Sequence, residues 1–308
     1  MEVITAVISR IGVLFSFILI GFVLQKGNLL PKEASVVFSR MENKLFMPAV
    51  VINTFWTNCT VKNISTKWSY IIYSTVILSF CVLVAFVVSR FLTNDDYIRK
   101  IYRYSLCVSN FGFVGTAMVQ GIYGADSVVL FDYMMFTLPL NLFTYSIGIS
   151  WLIPNEQRGF SIKSIVNPIF IALFLGGILG LLKVAKTNFI SSIIDSLANC
   201  MSPIAMILTG FVIGGYQLKN LLCQWQNYVI SGVRLVVLPM LIVFVLKAIN
   251  VPSEIIIVTL CANAMPLGLN TVIIPSAYGE NPKTGAGLAL VSQLAAIITI
   301  PSLFYFFI

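Results

Sequence analysis

Charged residues are scarce in this sequence, and histidine is absent. The 308 residues include 19 Lys and Arg and 11 Asp and Glu, so that 10% are charged, against roughly 25% in soluble globular proteins. A soluble domain of this length could not cover its surface with so few charges, and 58% of the residues are hydrophobic. The composition excludes a soluble enzyme, a nucleic-acid-binding protein and a disordered chain. It predicts an all-α membrane protein that crosses the bilayer many times.

Motifs for catalysis, nucleotide hydrolysis and metal binding are also missing. The sequence has no HExxH, GxSxG or Walker pattern, and its six cysteines are scattered without a CxxC pair. We therefore expect neither an enzyme nor an ATP-driven pump, and no catalytic residues, metal, cofactor or nucleic-acid partner. Because histidine commonly relays protons near neutral pH, its absence leaves any proton coupling to carboxylates or to the substrate itself.

Ten segments are apolar enough to cross a bilayer, each with about 20 residues. Short loops separate them, so that no sizeable soluble domain is expected. The first is interpreted as a retained transmembrane helix rather than a signal peptide, because it lacks an early basic region and a small-residue cleavage site. The predicted segments are 4–24, 35–56, 68–92, 102–122, 127–152, 165–184, 189–215, 228–249, 254–277 and 284–308.

Basic residues are distributed unevenly between the two sets of loops. The loops and adjoining helix ends after odd-numbered segments hold ten of them, and those after even-numbered segments hold five. Lys and Arg collect on the cytoplasmic side, so the first set is assigned to the cytoplasm and both termini to the outside. The ten are Lys26, Lys32, Arg90, Arg99, Lys100, Arg103, Arg158, Lys163, Lys219 and Lys283; the five are Lys62, Lys67, Lys183, Lys186 and Lys247.

An internal repeat appears when the chain is shifted against itself by 155 residues. One offset aligns the first segment with the sixth, the second with the seventh and the fourth with the ninth, without gaps. Five spans in each half place the halves in the membrane with opposite orientations, which is typical of secondary transporters. The predicted organisation is a first repeat over 1–153, a cytoplasmic linker over 154–164 and an inverted repeat over 165–308. The identical pairs are Phe15 and Phe170, Gly21 and Gly176, Pro48 and Pro203, Thr116 and Thr271, Tyr123 and Tyr278, and Gly124 and Gly279.

Polar residues, glycine and proline interrupt the fourth and ninth segments at equivalent positions of the repeat. Such interruptions free backbone groups that lipid cannot satisfy, so side chains, water or ligand must bond to them. Helix N-termini created by two breaks would offer amides to an anion at the middle of the membrane. The alternative is a pair of simple kinks in a packed bundle. The candidate substrate-binding residues are Asn110, Gly112, Gly115, Thr116, Asn263, Pro266, Asn270 and Thr271.

Several ionisable and polar residues fall inside predicted segments, where they are functional candidates. Asp132 and Asp195 are candidate proton carriers, and the alternative for each is an interfacial carboxylate. Arg40, Glu42 and Lys44 are expected near the cytoplasmic surface. The remaining candidates are Arg234 among the ionisable residues and Gln120, Asn141 and Gln293 as polar side chains that line the site.

The same segments resemble the auxin efflux carrier family. The fourth segment carries Asn110-Phe111-Gly112-Phe113-Val114-Gly115, and residues 264–270, followed by Ala277-Tyr278-Gly279, are similar to the ninth-helix pattern of that family. Residues 293–301 are similar to its final helix. The resemblance covers the whole chain and includes bacterial relatives that, like this chain, lack the long cytoplasmic loop of the longer plant members.

The resemblance implies two inverted five-helix repeats, with a scaffold part and a transport part in which helices 4 and 9 are broken and crossed. It also implies export or exchange of organic carboxylates, such as auxin in plants and malate-type acids in bacteria, by an elevator-type mechanism in the plasma membrane, often as a homodimer. Asn110 matches the asparagine implicated in carboxylate binding, and Pro266 matches the crossover proline. Ala117 stands roughly where relatives carry a second proline, so the fourth-helix break is expected to rest on Gly112 and Gly115.

Two other transport functions remain open on this evidence. A sodium-coupled organic anion symporter would use the same crossed-helix fold, and a channel would share the same composition. Sodium dependence of the flux separates the symporter from proton-coupled or uncoupled transport. A turnover far higher than that of a transporter identifies the channel.

Overall fold

A computed structural model describes residues 2–31, 33–124, 127–153, 168–216, 221–278, 280–281 and 283–307 of the chain. Helices joined by short loops make up this part of the protein, as the composition predicts. The linker predicted over 154–164 lies outside the described residues. The helices are α1 (Glu2–Lys26), α2 (Ala34–Met41), α3 (Met47–Asn58), α4 (Val61–Lys67), α5 (Ser69–Leu92), α6 (Asp96–Cys107), α7 (Thr116–Tyr123), α8 (Val128–Phe143), α9 (Ile149–Leu152), α10 (Pro168–Leu181), α11 (Asn188–Gly214), α12 (Trp225–Gly232), α13 (Leu238–Ala248), α14 (Ser253–Asn263), α15 (Asn270–Ala277) and α16 (Lys283–Phe307).

Five helical stretches of the described chain are long and apolar enough to cross a membrane, by length and composition. Three shorter helices are also apolar, namely Gly12–Lys26, Pro168–Leu181 and Ser253–Asn263. The protein is therefore a polytopic membrane protein. The five long stretches are Val61–Leu92, Val128–Leu152, Asn188–Gly214, Trp225–Ala248 and Lys283–Phe307.

Wider π-helical turns continue several of these helices without a break. Two of them, Glu42–Phe46 and Val233–Val237, come directly before helices whose first turn contains Pro48 or Pro239. Proline has no amide hydrogen, so the carbonyl four residues earlier loses its usual donor and the turn can widen. In the first turn the amide of Met47 donates to the carbonyl of Glu42, five residues back.

The chain forms two compact units, and each takes segments from both halves of the sequence. The first, called unit 1, comprises Met1–Tyr70, Gly112–Met135 and Ile162–Gly215. Within it α1 packs on α11, and α3 packs on α10 and α11.

Close helix contacts inside unit 1 require glycine at two positions that the repeat makes equivalent. A Cβ atom added at Gly21 of α1 would collide with the carbonyl of Ile207 in α11. A Cβ atom added at Gly176 of α10 would lie 3.0 Å from the carbonyl oxygen of Ile52 in α3. Shifted by 155 residues, the pair Gly21 and Ile207 exchanges with the pair Gly176 and Ile52.

Unit 2 comprises Ile71–Phe111, Phe136–Ser161 and Tyr216–Ile308. Here α16 packs on α12 and α15, and α6 packs on α9. Gly285 of α16 lies directly against the backbone of Thr271 in α15, where a Cβ atom would not fit. This unit contains the interrupted part of the ninth segment and the first half of the fourth.

Candidate functional site: two chain breaks that meet in unit 2

The fourth predicted segment is broken, but not at its glycines. Helix α6 ends at Cys107 and Val108 is extended, with φ −116° and ψ 113°. Helical structure resumes with the π turn Phe111–Gly115, which leads into α7. The expectation that Gly112 and Gly115 form the break is therefore wrong. The chain instead leaves the helix at 108–110, where hydrogen bonds to a second non-helical segment replace those of the helix.

That second segment interrupts the ninth predicted span. Helix α14 ends at Asn263 and α15 begins at Asn270, so six residues between them are not helical. Pro266 lies in this break and cannot donate a backbone hydrogen bond, which disfavours a continuous helix. The position of the interruption agrees with the sequence prediction.

The two breaks meet and satisfy each other's polar groups. Ser109 and Leu267 form an antiparallel bridge, and the amide of Asn110 donates to the carbonyl of Pro266 at 2.7 Å. The hydroxyl of Ser109 donates to the carbonyl of Ala262 at 2.6 Å. The amide of Leu267 donates to the hydroxyl oxygen of Ser292 in α16 at 3.0 Å. These bonds allow an irregular backbone to persist in a buried place. We call this region the crossing.

Three predicted site residues in unit 2 stabilise the crossing or its flanks. Asn263, at the end of α14, donates its amide to the carbonyl of Thr259 at 3.2 Å. Asn270, at the start of α15, donates to the hydroxyl of the fully buried Tyr104 at 2.8 Å. The hydroxyl of Thr271 donates to the carbonyl of Gly268 at 3.1 Å.

Two further polar candidates in unit 2, Asn141 and Gln293, differ from each other. Asn141 donates to the carbonyl of Thr137 one turn earlier in its own helix, at 3.0 Å. Gln293 is buried and follows Ser292, the residue that binds Leu267. Gln293 is thus next to the crossing in sequence, whereas the hydrogen bond from Asn141 to Thr137 is local to α8.

The remaining candidates belong to unit 1. Gly112, Gly115 and the buried Thr116 follow the break in the chain. Gln120 of α7 lies 3.4 Å from the carbonyl of Ala198 in α11, toward which its amide donates. Sequence reasoning treated the residues of the fourth segment as one group, but the boundary between the units falls between Phe111 and Gly112.

Both candidate proton carriers in unit 1 have hydrogen-bond donors at their carboxylates. Asp132 forms an ion pair with Lys67 at 2.6 Å and accepts a bond from the hydroxyl of Tyr70 at 3.2 Å. Asp195 accepts from the amide of Asn53 at 2.9 Å and from the hydroxyl of Ser191 at 3.0 Å. The proton-carrier role of Asp132 and of Asp195, and the alternative of an interfacial carboxylate for each, stay predictions.

A buried arginine lies beside the crossing. Arg234 has no exposed surface, and its two terminal nitrogens are each 3.5 Å from the side-chain oxygen of Asn263. Contacts of this length are weak. Neither ion pair of the described chain involves Arg234, so its charge has no carboxylate counter-ion in that part of the protein. The crossing therefore carries a full positive charge.

Three buried side-chain nitrogens in the described residues lack an acceptor, and all three are in unit 2. They are Nδ2 of Asn110, Nε of Arg234 and Nε2 of Gln293. Each of these three residues either forms a hydrogen bond at the crossing or its flank, or is next in sequence to a residue that does. A buried donor without an acceptor costs about 1–3 kcal/mol, and more when the group is charged. A ligand with negatively charged oxygens is the chemical complement of such a set.

Several residues of the crossing were not among the sequence-based candidates. Ser109, Ser292 and Tyr104 are ordinary small or aromatic residues of apolar segments, and no local pattern marks them. Arg234 is a charge inside an apolar segment, which is itself a functional signal, but no local pattern connects it to the fourth and ninth segments. No group of three or more His, Cys, Asp or Glu side chains suited to a metal ion occurs in the part of the chain that the structure covers.

Comparison with known proteins agrees with the membrane fold. The profile of a family described as "Membrane transport protein" matches residues 6–161 and again residues 155–304. The "Uncharacterized transporter YfdV" of Escherichia coli (strain K12) is 23% identical over 202 residues, which are 63% of this chain and 63% of that protein. The proteins of the same name from Escherichia coli O157:H7 and Shigella flexneri match equally. The matched region thus spans less than two thirds of these relatives. Since the family profile covers nearly the whole sequence, the chain belongs to the auxin efflux carrier family of membrane transport proteins.

Proposed function

We propose that this protein is a secondary active transporter of small organic carboxylate anions, and that the crossing in unit 2 binds the carboxylate. Malate-like and auxin-like acids are the substrate class, and the direction is export or exchange. The observation that carries the proposal is the set of three unpartnered buried nitrogens, one of them on a guanidinium without a counter-ion. A carboxylate supplies both the missing acceptors and the missing charge.

The charge of Arg234 has no carboxylate counter-ion among the described residues. A buried arginine without a carboxylate is unfavourable, because water has been removed and nothing of opposite sign replaces it. An anion bound there neutralises the charge of Arg234, so part of the free energy required to bury this side chain is regained when substrate binds. An uncharged solute regains none of this free energy, so the site favours anions over uncharged analogues.

We further propose that the chain spans the membrane ten times as two inverted five-helix repeats. The exchange of the contact between Gly21 and Ile207 with the contact between Gly176 and Ile52 supports this arrangement. If a two-fold axis relates the repeats, every contact between them occurs twice. In the second occurrence, each residue is replaced by its equivalent in the other repeat. Both termini lie outside the plasma membrane in this proposal, in line with the excess of basic residues in the loops assigned to the cytoplasm.

The proposed mechanism is elevator-type alternating access, in which unit 2 carries the substrate. The crossing, Arg234 and the unpartnered nitrogens all lie in that unit, so substrate recognition can be completed inside one compact body. Unit 1 is the scaffold in this proposal and the part through which a homodimer would form.

Transport by the purified protein in liposomes tests the proposal. Vesicles loaded with mono- and dicarboxylates should exchange them for labelled external acid, and amide analogues should not exchange. Asn110→Ala removes one donor to a charged ligand, worth about 1.5–3 kcal/mol, so affinity should fall roughly 10- to 100-fold.

Asn141→Ala is the matched control, because Asn141 donates to the carbonyl of Thr137 within its own helix. Its transport should equal that of the wild type. Equal transport by Asn110→Ala would instead show that the crossing is not the binding site. Flux that requires sodium would identify the symporter, and currents far above transporter turnover would identify a channel.

A further inference from the structure

Glu42 is buried in unit 1, although its charged neighbours in sequence are not. Arg40 and Lys44 are exposed, as expected near a membrane surface, while the side chain of Glu42 has no exposed surface. Glu42 is therefore enclosed by protein at a position where both charged neighbours are exposed. Its side chain projects into the protein interior.

The wider helical turn explains how a carboxyl group reaches this position. Glu42 begins the π turn Glu42–Phe46, which packs against α3, α10 and α11 of the same unit. An inserted residue in a helix rotates the following side chains relative to the preceding ones. Pro48, which cannot donate to the carbonyl of Lys44, favours the widened turn at this point.

Neither carboxyl oxygen of Glu42 has a hydrogen-bond partner within the described part of the protein. The helices packed against the turn offer few charged or titratable groups. Helices α3 and α10 have none, and α2 has the exposed Arg40. Helix α11 has Asp195, bonded to Asn53 and Ser191, and the exposed Cys200. Neither described ion pair includes Glu42.

A carboxylate in this environment is unfavourable unless a cation neutralises it. Burial of an unpaired charge costs several kcal/mol, and an ion partner must also fit the space. A proton neutralises the group without adding volume or requiring a shell of ligands. A sodium ion, as a hard cation, requires several oxygen ligands around it, and the described residues contain no group of three or more His, Cys, Asp or Glu side chains suited to a metal ion.

We propose that Glu42 is a proton-binding site and that its proton is the one coupled to substrate transport. The carboxyl group holds one proton while it is enclosed as seen here. It releases that proton to water as the carboxylate when a conformational change exposes it. The coupling role rests on the proposed function, whereas proton binding by Glu42 does not.

Transport with and without a pH gradient tests the coupling role. Glu42→Gln keeps the size of the side chain but cannot release a proton. In liposomes with equal pH on both sides, its exchange of labelled carboxylate should equal that of the wild type. Accumulation driven by an imposed pH gradient should be present in the wild type and lost in Glu42→Gln. Glu33→Gln, a change at an exposed position, is the matched control and should keep both activities.

The alternative outcomes are distinct. If Glu42→Gln still accumulates substrate in response to a pH gradient, or if only a sodium gradient drives the wild type, the coupling role is wrong. If the wild type exchanges no carboxylate, the proposed function fails first, and a measurement without substrate decides whether Glu42 holds a proton. The infrared spectrum of the purified protein at neutral pH should show the carbonyl band of a protonated carboxyl that disappears in Glu42→Gln and stays in Glu33→Gln. No difference between these spectra would overturn the proton site itself.

Discussion

The two compact units differ in the unpartnered side-chain atoms that they bury, because all three unpartnered nitrogens of the described chain lie in unit 2, whereas unpartnered oxygens occur in both units. In unit 2 the unpartnered nitrogens are those of Asn110, Arg234 and Gln293, around a break in the chain. In the described part of unit 1 the unpartnered atoms without hydrogens include both oxygens of Glu42 and the amide oxygens of Gln25 and Gln120. Unit 2 is thus suited to an anion, and unit 1 offers oxygens to a proton.

The units also differ in how their backbones are arranged. Unit 1 is built on long helices in direct contact, as Gly21 in α1 shows against α11. In unit 2 the helices are interrupted at two places, and the helical hydrogen bonds lost there are replaced by bonds between the two breaks. Ser109, Asn110 and Leu267 take part in this contact. Close packing makes unit 1 rigid, and the unpartnered side-chain nitrogens give unit 2 donors for recognition. Substitutions should therefore change mainly stability in the first unit and mainly transport in the second.

Removal of the buried charge should give the largest effect. Arg234→Gln keeps a polar side chain beside Asn263 but removes the cation, so carboxylate affinity should fall about 100-fold, or roughly 3 kcal/mol. The melting temperature without substrate should stay the same or rise, because an uncompensated buried charge is gone. Transport titrations and thermal unfolding in detergent measure the two effects.

Arg103→Gln is the control for that substitution. Arg103 is also in unit 2, but its guanidinium stacks 4.2 Å from the ring centroid of Phe86 and donates to Ser89. Its loss should leave affinity unchanged. If Arg234→Gln loses stability but keeps its carboxylate affinity, Arg234 has only a structural role. The expectation that substitutions in unit 2 change mainly transport would then be wrong for this residue.

Intermediate effects are expected where glycine joins the helices of unit 1. Gly21→Ala and Gly176→Ala should each lower the free energy of unfolding by about 1–3 kcal/mol, since a methyl group has no room. Gly12→Ala in α1 meets open space, so it should be neutral or stabilise by up to about 1 kcal/mol. Chemical or thermal unfolding of the purified variants checks this, and a tolerated Gly21→Ala would contradict the close contact with Ile207.

The smallest effect is expected at a partly exposed polar cluster of unit 1. Lys186 donates to the side chains of Asn53 and Thr57, at 2.6 Å each. Lys186→Met should lower stability by about 0.5–1 kcal/mol and leave substrate affinity unaffected, because solvent replaces most of what is lost. Lys62→Met, at an exposed position, should have no effect. A large loss of affinity in Lys186→Met would show that recognition is not confined to unit 2.

Helix positions could be predicted from hydropathy because lipid demands long apolar segments. The predicted segment 68–92 corresponds to Ser69–Leu92, and 284–308 corresponds to Lys283–Phe307. The break near Pro266 was also predictable, since Pro266 removes a backbone donor and Gly268 weakens the next helical turn. The break at 108–110 was not placed correctly, because it depends on hydrogen bonds to residues more than 150 positions away.

By itself, the sequence determined that this is a helical membrane protein, and its motifs carried a resemblance that the family comparison confirms. Composition, apolar length and local motifs are sufficient for these conclusions, because each follows from residues close together in the chain. Only the tertiary structure decided which polar residues are enclosed. Glu42 lies between the exposed Arg40 and Lys44, and its burial follows from a widened turn and its packing. Arg234 is part of the candidate site because folding places it beside Asn263. The two residues are 29 positions apart in the chain, so no local sequence pattern predicts this contact.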